Sequence, residues 1–194
     1  MNIRRLIARI ITPIALLAVY GLASADVSGM LKICAGCHGD DGRGTDADTP
    51  IIAGIPALVQ EDALYAYADG TRSCGAKPMM CKSAARLTAE QISELAEHYA
   101  AMQYVPAGEE FDAALAETGK ALHMANCAIC HGQDDPGDAE ASILHGQRKN
   151  YLRYALQQYA AGEREQMPAM QKKTSVLTGD EIEALLHYYA SYQN

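Results

Sequence analysis

Two cysteines three positions apart, with a histidine directly after the second, occur twice in this chain: Cys34-Ala35-Gly36-Cys37-His38 and Cys127-Ala128-Ile129-Cys130-His131. Two thiols at that spacing can add across the two vinyl groups of one porphyrin, and the following imidazole then reaches the iron, so the motif is the attachment signature for covalent haem. A dithiol redox pair or a structural zinc site uses similar spacings. Neither needs a histidine after both copies. A redox pair of the thioredoxin kind belongs in a βαβ context, of which the chain has no sign, and a zinc site would have to bridge a gap of nearly 90 residues.

His38 and His131 are therefore the expected proximal ligands, and each iron has a sixth position to fill. A methionine thioether completes a His/Met pair and raises the reduction potential, which suits an electron acceptor. Met80 and Met170 hold equivalent places, each seven residues before the leucine that precedes a capped helix. Met79 and Met167 are the competing neighbours, and methionine is also a common core filler. The expected sites are thus Cys34, Cys37, His38 and Met80 in one half, and Cys127, Cys130, His131 and Met170 in the other. His98, His123, His145 and His187 lack counterparts in the opposite half and read as surface or packing residues.

The remaining cysteines, Cys74 and Cys81, flank Met79-Met80 in the first half only. In an exported protein a disulfide is the expectation, worth about 2.5 kcal/mol by loop entropy. Free thiols, or a soft-metal site with the methionine sulfurs, are the alternatives.

The elements that must position these residues are repeated too. Gly54 recurs as Gly146, Gly70-Thr71-Arg72 as Gly162-Glu163-Arg164, Pro78-Met79-Met80 as Pro168-Ala169-Met170, and Leu87-Thr88 as Leu177-Thr178, at offsets drifting from 92 to 90. Conserved order with so small a drift indicates internal duplication. Thr88 with Gln91, and Thr178 with Glu181, form capping boxes that open amphipathic helices with inward faces Ile92, Leu95, Ala96, Tyr99 and Ile182, Leu185, Leu186, Tyr189. Middle helices are predicted from about Ala57 to Asp69, stopping at Gly70, and from about Lys149 to Ala161, stopping at Gly162. Short helices before each cysteine motif, near Ser28–Ile33 and Phe111–Asn126, complete an all-α fold of three helices per half. Tyr104-Val105-Pro106-Ala107-Gly108 reads as the linker.

Residues 1–25 carry Arg4, Arg5 and Arg9, then an apolar stretch broken by Pro13, then Ala23-Ser24-Ala25, the pattern of an export signal cleaved after Ala25. The apolar stretch is short for a retained span, so no membrane span is expected after cleavage. The organisation expected is a signal peptide over 1–25, one domain over 26–105 and a second over 106–194. Loss of the leader leaves 13 basic against 24 acidic residues, a formal charge of −11. So acidic a chain disfavours nucleic acid and anionic lipid, and favours a basic docking patch on a partner protein. Gly42-Arg43-Gly44-Thr45-Asp46-Ala47 has the outline of a dinucleotide fingerprint, but it follows no strand and its flanking aspartates would repel a pyrophosphate. No flavin is therefore expected on this chain.

The two haem motifs, the matched methionines and the closing helices resemble the dihaem cytochromes of class I, tandem repeats of the mitochondrial cytochrome c fold. Phe111-Asp112-Ala113-Ala114-Leu115-Ala116-Glu117-Thr118-Gly119-Lys120-Ala121-Leu122-His123, then Ile143-Leu144-His145-Gly146-Gln147 and Tyr151-Leu152, resemble more closely the cytochrome subunit of flavocytochrome c sulfide dehydrogenase. That resemblance implies two covalent haem c groups, periplasmic location, and a heterodimer with an FAD flavoprotein that oxidises sulfide, this chain accepting the electrons and performing no catalysis alone. Other cytochromes or oxidases would take the electrons onward. A free dihaem shuttle between respiratory complexes is the alternative, and a dihaem peroxidase is disfavoured by methionine candidates in both halves. Class I cytochromes have a proline about a dozen residues after the ligand histidine, whose carbonyl accepts the imidazole proton. Pro50 fits in the first half, whereas Ser142 takes that place in the second.

Overall fold

The computed structural model describes residues 27–75, 78–133 and 141–193; the expected export signal lies outside these residues. It is all-α, with no strands among the described residues. The first half comprises α1 (Ser28–His38), α2 (Ala57–Asp69), α3 (Met79–Ala84) and α4 (Ala89–Ala100). The second comprises α5 (Ala113–Asn126), α6 (Ala128–His131), α7 (Lys149–Ala160), α8 (Pro168–Thr174) and α9 (Gly179–Ala190).

Local sequence accounts for most of these boundaries. Both capping boxes are formed, Thr88 accepting from the Gln91 amide and Thr178 from the Glu181 amide, with the Gln91 and Glu181 side chains reciprocating. The α5 N-terminus is capped by Asp112, whose carboxylate accepts from the Ala114 and Leu115 amides. α2 ends at Gly70, in the left-handed region, and α7 ends two residues before its counterpart Gly162.

The haem-motif helices differ from expectation. α1 does not end before the first motif but runs through it to His38, whereas in the second half α5 stops at Asn126 and the motif continues on the short α6. The short methionine helices α3 and α8 were not expected. At six and seven residues they are too short to show helical periodicity, and neither has a capping side chain.

The second half holds the larger core, Leu152 of α7 with Ile182, Leu185, Leu186, Tyr188 and Tyr189 of α9. α5 crosses α9 at Gly119, where a side chain would overlap the Ala184 carbonyl oxygen. The first half is smaller and buries Ile51, Ala53, Ile55, Ile92, Leu95, Ala96 and Tyr99. Corresponding loops dock on the closing helices by the same bond: the Gly54 amide donates to the Tyr99 carbonyl and the Gly146 amide to the Tyr189 carbonyl, each at 2.8 Å. Both glycines have φ of +71°, and the linker crosses both. A Cβ on Gly54 would lie 2.6 Å from the Tyr104 nitrogen, and one on Gly146 would lie 2.6 Å from the Pro106 Cβ.

The crossing at Gly119 gives a stability prediction. Gly119→Ala gains about 1 kcal/mol of helix propensity, but overpacking against a backbone carbonyl costs about 1–3 kcal/mol or more, so the variant should unfold at lower denaturant. Gly179→Ala, whose added carbon meets nothing within 4 Å, should be neutral or slightly stabilising in the same urea titration.

Candidate functional site

Each half presents the same constellation at its cysteine motif. Cys34 and Cys127 are half-buried, Cys37 and Cys130 exposed, and all four are free thiols. Burial pushes the Cys34 and Cys127 thiols up from their ordinary value, so they are held protonated at neutral pH.

The histidines are fixed from behind. His38 Nδ1–H donates to the Pro50 carbonyl at 3.1 Å, and His131 Nδ1–H donates to the Ser142 carbonyl at 3.2 Å. A carbonyl can only accept, so Nδ1 carries the proton and Nε2 offers its lone pair. Burial lowers the pKa of both imidazoles, outweighing the opposite pull of the carbonyls, and keeps them neutral and able to bind a metal. The serine carbonyl serves as the proline carbonyl does because only the backbone oxygen is used. Among the described residues no three His, Cys, Asp or Glu side chains come together as a metal cluster, so the two cysteine pairs do not pool into one tetrahedral site. Paired thiols beside an imidazole with a bare Nε2 are the donor set that fits a covalently held haem iron.

The methionines divide by exposure. Met79 is 59% exposed and Met167 74% exposed, whereas Met80 and Met170 are half-buried on α3 and α8. The Cys74–Cys81 disulfide is formed. Of the other histidines, His98 is exposed, whereas His123 and His145 are buried. His123 braces the second motif from within. Its Nε2–H donates to the Gly132 carbonyl at 2.7 Å, just after His131, and its Nδ1 accepts from the Tyr189 hydroxyl at 3.1 Å.

The residues least visible in advance lie where the halves meet. Arg72 and Arg164, the matched arginines of the repeat, form an antiparallel backbone bridge with each other. Each guanidinium stacks on the matched tyrosine of its own half, Arg72 over Tyr67 at 4.2 Å and Arg164 over Tyr159 at 4.4 Å. This is the signature of a local two-fold relation between the repeats. Arg72 is only 4% exposed, its Nε has no partner, and Nη2 reaches only the Tyr151 hydroxyl at 3.4 Å. Burial alone would raise the Tyr151 hydroxyl, but the two guanidiniums outweigh it and bring it down to about 7. A buried cation with an unpaired donor costs stability, and the carboxylates of a haem are anions that would pair with it.

Second-half residues also grip the first-half loop that orients His38. The buried Gln147 amide accepts from the Ile51 N–H and donates to the Ile51 carbonyl, both at 2.8 Å, one residue beyond Pro50. Arg148 Nη2 donates to the Arg43 and Gly44 carbonyls at 2.9 and 3.0 Å. Ile55 and Pro56 stand at the matching first-half positions, so this grip runs one way. The repeat comparison paired Arg72 with Arg164 but gave no sign that they meet; Gln147 and Arg148 have no counterpart to draw attention to them.

Comparison with known proteins agrees with this geometry. Residues 114–188 match the family described as cytochrome c oxidase, cbb3-type, subunit III. Cytochrome c-554(548) of Halomonas halodenitrificans is 34% identical over 70 residues, 36% of this chain and 84% of that protein. The chain belongs to the c-type cytochromes, electron-transfer proteins with covalently bound haem c. Its fold is similar to that of Acidithiobacillus ferrooxidans cytochrome c4 (26% identity, TM-score 0.73, covering 82% of this chain and 99% of that one). The tandem class I cytochrome c fold is thereby established. The thiosulfate dehydrogenase electron acceptor of Thiomonas intermedia is 32% identical over 143 residues, 68% of this chain and 64% of that protein. Thiosulfate dehydrogenase from Marichromatium purpuratum is similar at 30% identity and TM-score 0.68, over 81% of this chain and 36% of that one.

The Gln147 grip can be tested by Gln147→Leu, which leaves the Ile51 N–H and carbonyl unpaired. We expect a loss of about 1–3 kcal/mol in urea unfolding. Asn150→Ala, which removes two exposed bonds, to Asp48 and from Arg153, should cost less than about 1 kcal/mol.

Proposed function

We propose that this chain is a periplasmic dihaem electron acceptor for a dehydrogenase that oxidises a reduced inorganic sulfur compound. Cys34, Cys37, His38 and Met80 would hold one haem, and Cys127, Cys130, His131 and Met170 the other. The observation that carries this reading is the matched pair of imidazoles, each held at Nδ1 by a loop carbonyl so that Nε2 keeps its lone pair, and each preceded in the chain by two free thiols. Haem supplies reversible one-electron chemistry at its iron. The protein's part is to hold the imidazoles in one tautomer; Met80 and Met170 would supply the thioethers, and Arg72 and Arg164 would pair with the haem carboxylates. Residues 1–25 would direct export and be removed, leaving domains over 26–105 and 106–194 joined near Pro106.

For the donor of electrons, the resemblance of Phe111–His123 and Ile143–Leu152 favours an FAD-containing sulfide dehydrogenase subunit, bound as a heterodimer. A second reading, a thiosulfate dehydrogenase as donor, is favoured by two relatives named for that enzyme. A free shuttle is the third, supported by the similarity to cytochrome c4 over nearly all of that chain. In each case the acidic surface would meet a basic patch. Purification from the native periplasm at low salt separates them. Flavin absorbance beside the haem bands, with haem reduction on adding sulfide, supports the first. Reduction by thiosulfate in a flavin-free complex supports the second. A haem protein that comes away alone, unreduced by either compound, overturns the bound-subunit readings in favour of the shuttle.

The arginine role makes a separate prediction. A buried cation beside the haem carboxylates stabilises the reduced, less positive state, so Arg72→Gln should lower the reduction potential in spectroelectrochemical titration. An unchanged or raised potential would contradict the placement of Arg72 beside those carboxylates.

A further inference from the structure

The two methionine helices are fastened by unlike means at matched positions. Cys74 follows Arg72 by two residues, and its disulfide to Cys81 ties the segment leaving the Arg72–Arg164 bridge to the first turn of α3, next to Met80. The Cys81 amide also donates to Cys74 Sγ at 3.0 Å. In the second half the residue two after Arg164 is Gln166, and no disulfide is possible there. Its Nε2–H donates to the Tyr159 carbonyl at 2.8 Å, and its Oε1 accepts from the Thr174 hydroxyl at 2.9 Å, at the end of α8. That hydroxyl also lies 3.2 Å from the Met170 carbonyl, and Thr174 is buried. The residue matched to Thr174 is Ala84, which can make no such bond.

We infer that Gln166 and Thr174 are positioning residues for Met170 as the Cys74–Cys81 disulfide is for Met80, and that the hydrogen-bonded brace makes the iron at His131 the one whose sixth ligand exchanges. The inference rests on the reading of Met80 and Met170 as axial ligands. A covalent cross-link limits how far Met80 can depart even when the helix loosens. Two hydrogen bonds can open and close, so Met170 leaves its place more often. One repeat is thus less open to added ligands than the other, although their cysteine and histidine motifs are alike.

The test is imidazole titration of the oxidised, haem-loaded protein, followed by the methionine-to-iron charge-transfer band and by the paramagnetically shifted methionine methyl signals of each haem. In the native protein imidazole should displace Met170 at a concentration at least tenfold below that needed for Met80. Gln166→Ala and Thr174→Val should each raise imidazole affinity at the His131 iron several-fold without moving the other, and Thr174→Ser should restore it. The Cys74→Ser/Cys81→Ser pair should raise affinity at the His38 iron alone, bringing the two irons within a few-fold of each other. Equal affinities in the native protein, or variants that move both irons alike, would overturn the inference. Should the cysteine pair fail to fold, the contrast of Thr174→Val with Thr174→Ser still decides it. Met80→Ala and Met170→Ala separate the underlying reading: if both methionine signals survive these changes, the ligand assignment has failed rather than the bracing.

Discussion

Much of this structure is arranged around a pair of arginines, one buried and one half-buried, that meet where the two repeats join. Burying an unpaired guanidinium costs several kcal/mol, and the protein meets part of that cost with tyrosines, Tyr67 and Tyr159 beneath the two cations and Tyr151 between them. These are weak substitutes for carboxylates, and the Nε of Arg72 is left without a partner. Negative charge delivered from elsewhere would complete the arrangement. Haem carboxylates directed toward the junction would deliver it from both halves. The electrostatics of the two redox centres would then be shared rather than separate.

That junction also ties the proximal side of the first half to the second. The Pro50 carbonyl that orients His38 sits in a loop pinned at Ile51 by Gln147 and at Arg43 and Gly44 by Arg148. The second half holds its own proximal turn differently, through His123 bonded to the Gly132 carbonyl and backed by Tyr189 of α9. The two motifs are nearly equal in sequence, and the side chains around them make them unequal. Electron transfer in one direction benefits from such inequality, because two identical centres set no gradient.

The closing helices, the middle helices and the duplication were legible because capping boxes, glycine stops and helical periodicity are local signals. The imidazole supports at Pro50 and Ser142 followed from the resemblance to class I cytochromes. The short helices α3 and α8 left no such trace, since a helix of one or two turns has no periodicity to read. The run of α1 through its motif, against the break between α5 and α6, was equally hidden, because the two motifs are nearly the same sequence. Arg72 and Arg164 stood in the repeat as matched residues beside a helix-stopping glycine, yet their meeting is a tertiary fact. Gln147 stood within the run that carries the family resemblance, but with isoleucine at its matching position nothing there pointed to its grip on the first half. No helix among the described residues is long and apolar enough to cross a membrane.

Every functional property proposed for the chain depends on two haems, one on each repeat. The most direct test is peptide mapping by mass spectrometry of the exported protein after thiol alkylation. It should show one haem mass on the peptide with Cys34 and Cys37, one on the peptide with Cys127 and Cys130, and no alkylation at those four sulfurs. Alkylated thiols at either motif, or a haem on only one of the two peptides, would contradict it.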